Sequence, residues 1–575
     1  MNFAARGLLD VRLQPWRARL LSAAILLWLA ALVVRALYLQ GWQKDFLREK
    51  GAQFVNAVLE IPATRGMVTD RRGEPLAIST PMASLWASPE DVNFTDEQLR
   101  GLATVLEIDE KVLRGRLSDT RRGFVFVKRR LPPDVADAAL TSGVRGLYVQ
   151  REYRRYYPAG EVTAHLLGFT DVDDHGQEGM ELAHDDWLAG VPGSRRVVRD
   201  RKGNVIEDVE ALHVPRPGRD LRLSIDLKIQ YLAYRELERA VLEHRAKGGG
   251  IVVLDADTGE IVALANLPSY NPNNRARLGG GRTRNRAITD VFEPGSTLKA
   301  FTAAAALDAG IVAPDTVIDV QGPLVIGSAR IHDAHPHGRL SVTEIIQKSS
   351  NIGAARMALS LSPEYFWGVL DRAGFGKAPR AGFPGEGTGH LRPWQHWVRV
   401  EQATMSYGHG ISVSLLQLAR AYTVFADDGD LKNVTMVRTE NAAPGVRVFS
   451  PETAHRVRAM LETVVEAGGT APRAAVPGYR IAGKTGTAHK LVDGDYADKL
   501  YVSSFVGLAP ASNPRLIIAV MIDEPSAGQY YGGTVAAPVF ANVMGGALRL
   551  LAIAPDAPLT HRVLPEDLPE LPEGV

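Results

Sequence analysis

The feature that most constrains this chain is a long apolar run near its N-terminus. The segment LLSAAILLWLAALVV, residues 20–34, holds 15 residues without a charge, and RALYL extends it past Arg35. A helix of about 20 apolar residues crosses the hydrocarbon core of a bilayer. The run therefore predicts a transmembrane helix over residues 20–39.

Charges around this run predict its orientation. Four arginines and one acid, Asp10, precede it, whereas residues 40–54 carry both signs. Because positive flanks stay in the cytoplasm, we expect residues 1–19 to be cytoplasmic and the remaining chain to lie outside. A cleaved signal peptide is the alternative, since Val34-Arg35-Ala36 resembles a small-residue cleavage site. Arg35 is a poor flank for a signal-peptide core, so the attached helix is preferred.

Composition excludes several classes of function. The 575 residues include no cysteine, which rules out thiol catalysis, disulfides and cysteine-ligated zinc. A net charge of +1 with 23% charged residues gives no electrostatic support to nucleic-acid binding. The length suffices for about two to four domains, each with its own core.

The chain beyond the membrane changes character near residue 219. Residues 40–218 are rich in charges, glycine and short β-like segments, without a cluster of catalytic residue types. They predict an elongated β-rich, non-catalytic domain. Residues 219–554 mix helical and strand patterns and predict a globular α/β domain. The tail, residues 555–575, is rich in proline and acids and predicts disorder.

Four segments predict the architecture of the second domain. Residues 224–246 have helical periodicity with Ser224 as the N-cap. Residues 249–266 and 501–525 each predict a β-hairpin, and PVFANVMGGALRLLA predicts a closing helix. Hairpins near both ends of the domain, flanked by a first and a last helix, predict one antiparallel sheet covered by helices.

A serine and a lysine lie three positions apart in FEPGSTLKAF, residues 292–301. The local signals start a helix at Ser296 and end it near Gly310, so Ser296 and Lys299 share one helical face. The pair predicts either a nucleophile with its base, or a helix cap with a solvated charge. This motif alone does not decide between them.

Two further motifs favour catalysis. KSSNIGAAR contains Ser349 and Asn351 at a predicted helix start, and IAGKTGTAHK contains Lys484 on a predicted short strand. A second Ser-x-Asn at Ser269 shows that this motif is weak by itself. However, the order Ser-x-x-Lys, Ser-x-Asn, Lys-Thr-Gly within one domain is the signature set of penicillin-binding proteins and serine β-lactamases.

The wider sequence resembles a class B penicillin-binding protein, and is most similar to the division-specific, FtsI-like peptidoglycan D,D-transpeptidases. Segments that carry the resemblance include RGMVTDRRGEPLA, YPAGEVTAHLLGFTDVDDHGQEGMEL, DADTGEIVALANLPSYNPN, ATMSYGHGISVSLLQLARAY and YYGGTVAAPVF. The resemblance covers residues 20 to about 550, nearly the whole chain. Two departures are modest: no C-terminal processing extension is evident, and His409 stands in the SYGHG stretch where relatives vary.

The resemblance implies an organisation and a set of partners. It implies a single-pass anchor in the bacterial inner membrane, a non-catalytic pedestal at residues 40–218, and a periplasmic D,D-transpeptidase domain at residues 219–554. The expected ligands are peptidoglycan stem peptides ending in D-Ala-D-Ala and β-lactam antibiotics. The expected protein partners are an FtsW-like membrane glycosyltransferase and other divisome proteins. It implies no cofactor, no metal and no nucleic acid.

The chemistry assigns roles to five residues. Ser296 attacks the carbonyl carbon, and Lys299, one turn away, takes its proton. Lys299 must then be partly neutral, which burial and a nearby cation such as Lys484 would favour. We expect Ser349 to relay a proton to the departing D-Ala amine and Asn351 to orient Lys299 and a substrate amide.

The strand with the Lys-Thr-Gly motif supplies the remaining predicted contacts. Lys484, Thr485, Gly486 and Thr487 lie on it, and we expect it to pair with the substrate backbone. The Thr485 and Thr487 hydroxyls are expected near the substrate carboxylate. By resemblance, the backbone N–H groups of Ser296 and Thr487 form the oxyanion hole.

Several alternatives remain open at this level. A serine β-lactamase would need a carboxylate-activated water, and no Glu-x-x-Leu-Asn stretch lies between Asn351 and Lys484. A β-lactam sensor or scaffold would be expected to lose one motif, and all three are intact. Within the family, an elongation-specific transpeptidase is the closest alternative, and local similarity favours the division role. The triplet His332, His335 and His337 has ligand-like spacing, but it lies in a Gly/Pro loop and this chemistry needs no metal.

Overall fold

A computed structural model describes residues 15–43, 56–199, 205–274, 281–492 and 495–558. Its first helix, Pro15–Leu37, continues into a π-helical turn, Tyr38–Trp42. The span Pro15–Gln40 has 26 residues and a mean hydropathy of 2.3, and no part of its most apolar stretch is buried against the protein. It is long and apolar enough to cross a membrane, and it contains the predicted segment 20–39. Most of the predicted tail, residues 559–575, lies outside the described residues.

The helices are numbered in chain order: α1 Pro15–Leu37, α2 Asp96–Leu106, α3 Glu110–Ser118, α4 Pro133–Leu140, α5 Ala164–Leu167, α6 Gly179–Ala183, α7 Asp185–Leu188, α8 Leu227–Glu243, α9 Arg286–Thr289, α10 Lys299–Asp308, α11 Val342–Lys348, α12 Asn351–Leu359, α13 Pro363–Arg372, α14 Arg399–Met405, α15 Leu415–Ala421, α16 Thr423–Ala426, α17 Pro451–Thr463, α18 Gly532–Val535 and α19 Ala537–Leu550. Short 3₁₀ turns are Gly160–Val162, Gly295–Leu298, Trp394–His396 and Pro472–Ala474.

The strands are β1 Asn56–Ile61, β2 Val68–Thr69, β3 Pro75–Ala87, β4 Val125–Leu131, β5 Leu147–Tyr156, β6 Gly193–Arg199, β7 Val205–His213, β8 Leu221–Arg222, β9 Gly248–Asp255, β10 Ile261–Leu267, β11 Val317–Asp319, β12 Leu324–Ile326, β13 Ala329–Ile331, β14 Arg339–Ser341, β15 His390–Leu391, β16 Ile411–Ser412, β17 Asp430–Leu431, β18 Val446–Arg447, β19 Ala482–Val492, β20 Asp495–Ala509 and β21 Leu516–Asp523.

The chain forms two compact units. Unit 1 comprises Met1–Ala63, Met82–Glu152 and Val191–Arg216. In its described part, β1, β6 and β7 form an antiparallel sheet, and β3 pairs with β4. Leucines from α2 and α3 pack with alternate residues of β3 and β4 in a separate apolar core. The unit is therefore a small α+β structure.

Unit 2 comprises Thr64–Pro81, Tyr153–Gly190 and Pro217–Val575. It therefore includes two segments of the predicted pedestal, and the predicted boundary at residue 218 remains a prediction. Within the described residues its main sheet has five antiparallel strands in the order β10-β9-β21-β20-β19. Both predicted hairpins are present, as β9–β10 and β20–β21. The strand with the Lys-Thr-Gly motif, β19, lies at the edge of this sheet.

Helices cover both faces of the main sheet, as predicted. Leu237 of α8 lies against the backbone of Gly249, whereas Leu415 of α15 lies against that of Gly250. Successive residues of a strand face opposite sides of the sheet, so α8 and α15 cover opposite faces. The closing helix α19 packs on α8. The core between these layers is formed by Ile, Val, Leu and Phe side chains that are almost fully buried.

The N-cap of α8 differs from the prediction. Asp226, not Ser224, accepts hydrogen bonds from the backbone N–H groups of Lys228 and Ile229, at 3.0 and 3.3 Å. The buried Ser224 hydroxyl instead donates to the carbonyl of Ile261 at 2.7 Å. Both residue types cap helices well, and a long-range bond to β10 decides between them.

Candidate active site

Ser296 lies on a tight turn rather than at the cap of an α-helix. It belongs to the 3₁₀ turn Gly295–Leu298, which leads into α10 at Lys299. Neither Pro294 nor Leu298, the residues that precede the turn and the helix, makes a side-chain capping bond. Ser296 is 3% exposed. The interpretation of this serine as a simple helix cap is therefore wrong.

Buried polar contacts hold this turn in place. The Thr297 hydroxyl donates to the carbonyl of Pro294 at 2.8 Å, and the Tyr422 hydroxyl donates to the carbonyl of Thr297 at 2.7 Å. Burial raises the pKa of Tyr422 well above its usual range, so its hydroxyl keeps its proton. Both contacts fix the peptide units on either side of Ser296.

A glycine from another segment permits this packing. Gly408, in the SYGHG stretch, has φ of +88°, and a Cβ there would lie 2.2 Å from the carbonyl oxygen of Gly295. Only glycine combines this backbone conformation with so close an approach. The stretch thus buttresses the turn that carries Ser296.

Lys299 points to the second motif. Its side chain is fully buried, and Nζ donates to the Ser349 carbonyl oxygen at 2.5 Å and to Ser349 Oγ at 3.1 Å. Ser349 terminates α11 in the left-handed conformation, with φ of +60°. Such a conformation is uncommon for a residue with a side chain and is concentrated at functional sites.

Lys484 reaches the same serine from the edge strand. Its fully buried Nζ donates to Ser349 Oγ at 3.0 Å and to Thr485 Oγ1 at 3.1 Å. Ser349 Oγ is thus a shared acceptor for Lys299 and Lys484, which brings three motifs into one hydrogen-bonded network. Sequence order alone could not show this convergence.

Asn351 lies at the first turn of α12. Its Nδ2 donates to the carbonyl of His332 at 3.1 Å, whereas its buried Oδ1 has no hydrogen-bond partner among the described residues. This oxygen makes no hydrogen bond to Lys299, and the orienting role of Asn351 stays a prediction. A buried amide oxygen without a partner is costly, and here it is an acceptor that a ligand can use.

The loop that carries His332, His335 and His337 supports the start of α12 through Asp333. Its carboxylate accepts from the Ser350 hydroxyl at 2.6 Å and from the backbone N–H of Ile352 at 2.9 Å. His332 contributes its carbonyl to Asn351, as described above. Across the described residues no group of three or more histidine or acidic side chains converges in a metal-binding arrangement.

The edge strand β19 approaches the turn of Ser296 at Gly486. A Cβ on Gly486 would lie 2.9 Å from the carbonyl oxygen of Pro294 and 2.5 Å from Ser504 Oγ, so a side chain would separate strand and turn. Thr487 Oγ1 accepts from the backbone N–H of Gly532 at 3.0 Å. The Gly295 backbone lies close to the Thr487 carbonyl, so the two predicted oxyanion-hole residues are brought near each other.

Three supporting residues were not predicted. They are Tyr422, Gly408 and Thr470, whose hydroxyl lies 2.9 Å from that of Thr485. Gly408 could have been suspected from the sequence, since a glycine can mark a close approach between two backbone segments. Tyr422 and Thr470 carry no local motif, and only the folded chain identifies them.

Family comparisons agree with this geometry. The model of the penicillin-binding protein transpeptidase domain matches residues 249–545, and that of the penicillin-binding protein dimerisation domain matches residues 60–223. A probable peptidoglycan D,D-transpeptidase, PenA of Neisseria meningitidis, is 44% identical over 541 residues, 93% of each chain. The chain belongs to the class B peptidoglycan D,D-transpeptidases.

Further relatives of this class B transpeptidase agree. The peptidoglycan D,D-transpeptidase FtsI of Escherichia coli K12 is 42% identical over 549 residues, which is 94% of this chain and 93% of FtsI. The apo transpeptidase domain of penicillin-binding protein 3 from Burkholderia pseudomallei is 50% identical with a TM-score of 0.54. It covers 58% of this chain and 98% of that domain. The expected family and fold class are thereby confirmed.

Proposed function

We propose that this transpeptidase cross-links peptidoglycan stem peptides through an ester on Ser296. The observation that carries the proposal is the buried network in which Lys299 and Lys484 both donate to Ser349 Oγ. A hydroxyl needs a base to become a nucleophile near neutral pH. We assign this role to Lys299, which lies three residues, about one helical turn, after Ser296 in the sequence.

The reaction proceeds in two balanced halves. Ser296 Oγ attacks the carbonyl carbon of the penultimate D-Ala, and its proton passes to the Lys299 amine. The C–N bond then breaks, and the leaving D-Ala amine takes a proton through Ser349. In the second half, an acceptor amine attacks the ester carbon and loses a proton, the C–O bond breaks, and Ser296 recovers its hydrogen. The cross-link is the new amide.

The surroundings of Lys299 suit a base. Burial disfavours an ammonium, and so does the second cation, Lys484, which shares the Ser349 acceptor. These are the conditions under which a lysine loses its proton more readily than in water.

The remaining motif residues would bind the acyl donor. The edge of β19 can pair with an extended substrate backbone, as exposed sheet edges do with peptides. Thr485 and Thr487 would lie near the substrate carboxylate, Gly486 keeps β19 close to the turn, and the unpartnered Asn351 Oδ1 can accept from a substrate amide. The N–H groups of Ser296 and Thr487 would stabilise the oxyanion, with about 3 to 4 kcal/mol for one donor.

β-Lactams are expected to acylate Ser296 and to leave slowly. Hydrolysis of the ester requires a base held beside a water. Of the acids that sequence order offers for this role, Glu364, Glu386 and Glu401, none lies in a recognisable deacylation motif. Glu386 accepts from the backbone N–H groups of Arg380, Gly382 and Phe383, and Glu401 pairs with Arg392. Both of these carboxylates are engaged in local structure, which favours a trapped transpeptidase over a β-lactamase.

Acylation is tested by intact-mass spectrometry of the full-length protein in detergent after brief exposure to benzylpenicillin. We expect one adduct, on the peptide containing Ser296, that persists for many minutes after the drug is removed. Ser296→Ala and Lys299→Ala should remain folded without forming it. Labelling of Ser296→Ala at the wild-type rate would contradict the assignment, and several turnovers within seconds would favour the β-lactamase alternative.

The topology proposal places residues 1–19 in the cytoplasm and the catalytic domain in the periplasm, with α1 in the inner membrane. It is supported by the apolar span and the arginine-rich flank. Protease added to spheroplasts should digest nearly the whole chain. Protection of the transpeptidase domain, or a mature N-terminus near residue 37, would contradict this arrangement.

We further propose a role in septal synthesis, with an FtsW-like glycosyltransferase and other divisome proteins as partners. The similarity to FtsI over 94% of the chain supports it. Depletion of the protein should produce filaments. Rounded cells would instead identify an elongation-specific transpeptidase.

A further inference from the structure

The hydrogen-bonded network of the site does not end at the Lys-Thr-Gly motif. It runs from Lys299 through Ser349 and Lys484 to Thr485, and from Thr485 Oγ1 to Thr470 Oγ1 at 2.9 Å. Thr470 is 7% exposed and the other four residues are 3% exposed or less. Thr470 comes from the loop between α17 and the turn Pro472–Ala474, which no catalytic motif includes.

Proton counting assigns a direction to this last bond. An ammonium has three donors and no acceptor, so Lys484 must donate to Thr485 Oγ1. The single hydrogen of the Thr485 hydroxyl is then available to another acceptor. In the free enzyme Thr470 Oγ1 is at hydrogen-bond distance and buried with it. The arrangement that uses this hydrogen has Thr485 accepting from Lys484 and, before substrate binds, donating to Thr470.

We infer that Thr470 is a positioning residue for Lys484, acting through the Thr485 hydroxyl. Without its acceptor, the Thr485 hydroxyl would rotate away, and Lys484 would lose a side-chain acceptor that helps to orient its ammonium. Lys484 would then donate less effectively to Ser349 Oγ, the atom it shares with Lys299. Thr470 touches neither Ser296 nor Lys299 in these contacts, so its effect on the reaction is indirect.

The Thr470 loop is well placed for this task. Its backbone lies against the segment that follows β21, because a Cβ on Gly533 would lie 2.2 Å from the Thr470 carbonyl oxygen. On the other side, Lys348 of α11 donates to the carbonyl of Gly468 at 2.7 Å. The hydroxyl therefore projects from a loop that is held at Gly468 and at Thr470 itself, which restricts the position of the acceptor.

The inference rests on the proposed acyl-enzyme chemistry, and the test separates the two. In full-length protein, Thr470→Val removes the hydroxyl and keeps the shape, and Thr470→Ser keeps the hydroxyl. Stopped-flow acylation with a chromogenic cephalosporin gives the rate constant of the chemical step and the dissociation constant of the prior complex. We expect Thr470→Val to lower the rate constant about fivefold, the effect of one buried neutral hydrogen bond, with an unchanged dissociation constant. Thr470→Ser should behave as wild type.

A crystal structure of Thr470→Val supplies a reading that does not depend on acylation. The Lys484 Nζ to Thr485 Oγ1 contact should be lost or lengthened, and Thr470→Ala serves the same purpose if valine prevents folding. Failure of the wild-type protein to form an ester on Ser296 would refute the proposed function. A wild-type acylation rate in Thr470→Val, an equal loss in Thr470→Ser, or an unchanged Lys484 contact would refute the positioning role.

Discussion

A buried ionic cluster in unit 2 allows a quantitative test of what stabilises the fold. The Glu181 carboxylate accepts from Arg65 Nε at 2.7 Å and from Arg155 Nε at 2.6 Å, and the three side chains are 0 to 2% exposed. Arg65 also pairs with Asp185 at 2.7 Å. Residues 65, 155 and 181 come from three separate stretches of chain, so the cluster ties these stretches together.

The Glu181→Gln substitution keeps the shape of the side chain and removes its charge. Removing one partner of a buried ion pair costs about 3 to 5 kcal/mol, because the remaining charge stays buried. Arg65 keeps Asp185, whereas Arg155 loses its only carboxylate contact among the described ion pairs and keeps a 3.2 Å bond to Ser79 Oγ. We therefore expect a loss of about 3 kcal/mol, towards the lower end of the range.

The assay is urea unfolding of the full-length protein in detergent, followed by circular dichroism. The matched control is Glu452→Gln, which breaks the exposed pair between Glu452 and Arg456, whose side chains are 71% and 45% exposed. Exposed pairs contribute about 0 to 1 kcal/mol. If Glu181→Gln unfolds within about 1 kcal/mol of wild type and at the same m-value, the cluster does not stabilise unit 2 as argued.

Two further predictions concern single buried groups. Tyr422→Phe removes the hydroxyl that donates to the Thr297 carbonyl, so it should slow acylation severalfold and lower the free energy of unfolding by about 1 kcal/mol. The control is Tyr479→Phe, which loses a 2.6 Å bond to the Ile553 carbonyl. It should lower the free energy of unfolding by a similar amount without slowing acylation. Equal acylation rates in both variants would contradict the role of Tyr422. Burial lowers the pKa of His165 to about 4 in the folded protein. As pH falls, the unfolded chain therefore binds this proton before the folded protein does. The free energy of unfolding should drop by about 3 kcal/mol between pH 6.5 and pH 4. His165→Gln should lose this part of the pH dependence in urea titrations, and an unchanged dependence would refute it.

Local signals predicted the main sheet well. The β9–β10 hairpin turns at Asp257-Thr258-Gly259 and the β20–β21 hairpin at Ala511–Pro514, where turn residues interrupt apolar runs. Their placement in one sheet followed from hairpins at both ends of the domain. The extent of β19 did not follow: it was expected to be short, yet it runs from Ala482 to Val492 because β20 supplies partners along most of its length.

At the candidate site, the sequence predicts which residues take part but not how they contact one another. Motif order predicted the candidate residues, because the chemistry restricts which side chains can serve. The contacts between them depend on distant parts of the chain: Lys484 meets Ser349 across 135 positions, and Thr485 meets Thr470 across 15. The left-handed Ser349 and the unpartnered Asn351 Oδ1 were not predictable, because neither follows the local preferences of its residue type.

These departures from local preference have a common physical meaning. A left-handed serine, a buried amide oxygen without a partner and two fully buried lysines each cost free energy, of the order of 1 to 3 kcal/mol for the first alone. They persist because α10, α11 and α12, which carry or adjoin them, are fixed by apolar side chains buried in the main core. Under the proposed function the same cost would favour substrate binding, since the substrate would give a partner to the Asn351 oxygen. A variant that satisfied them within the protein would gain stability and lose the chemistry.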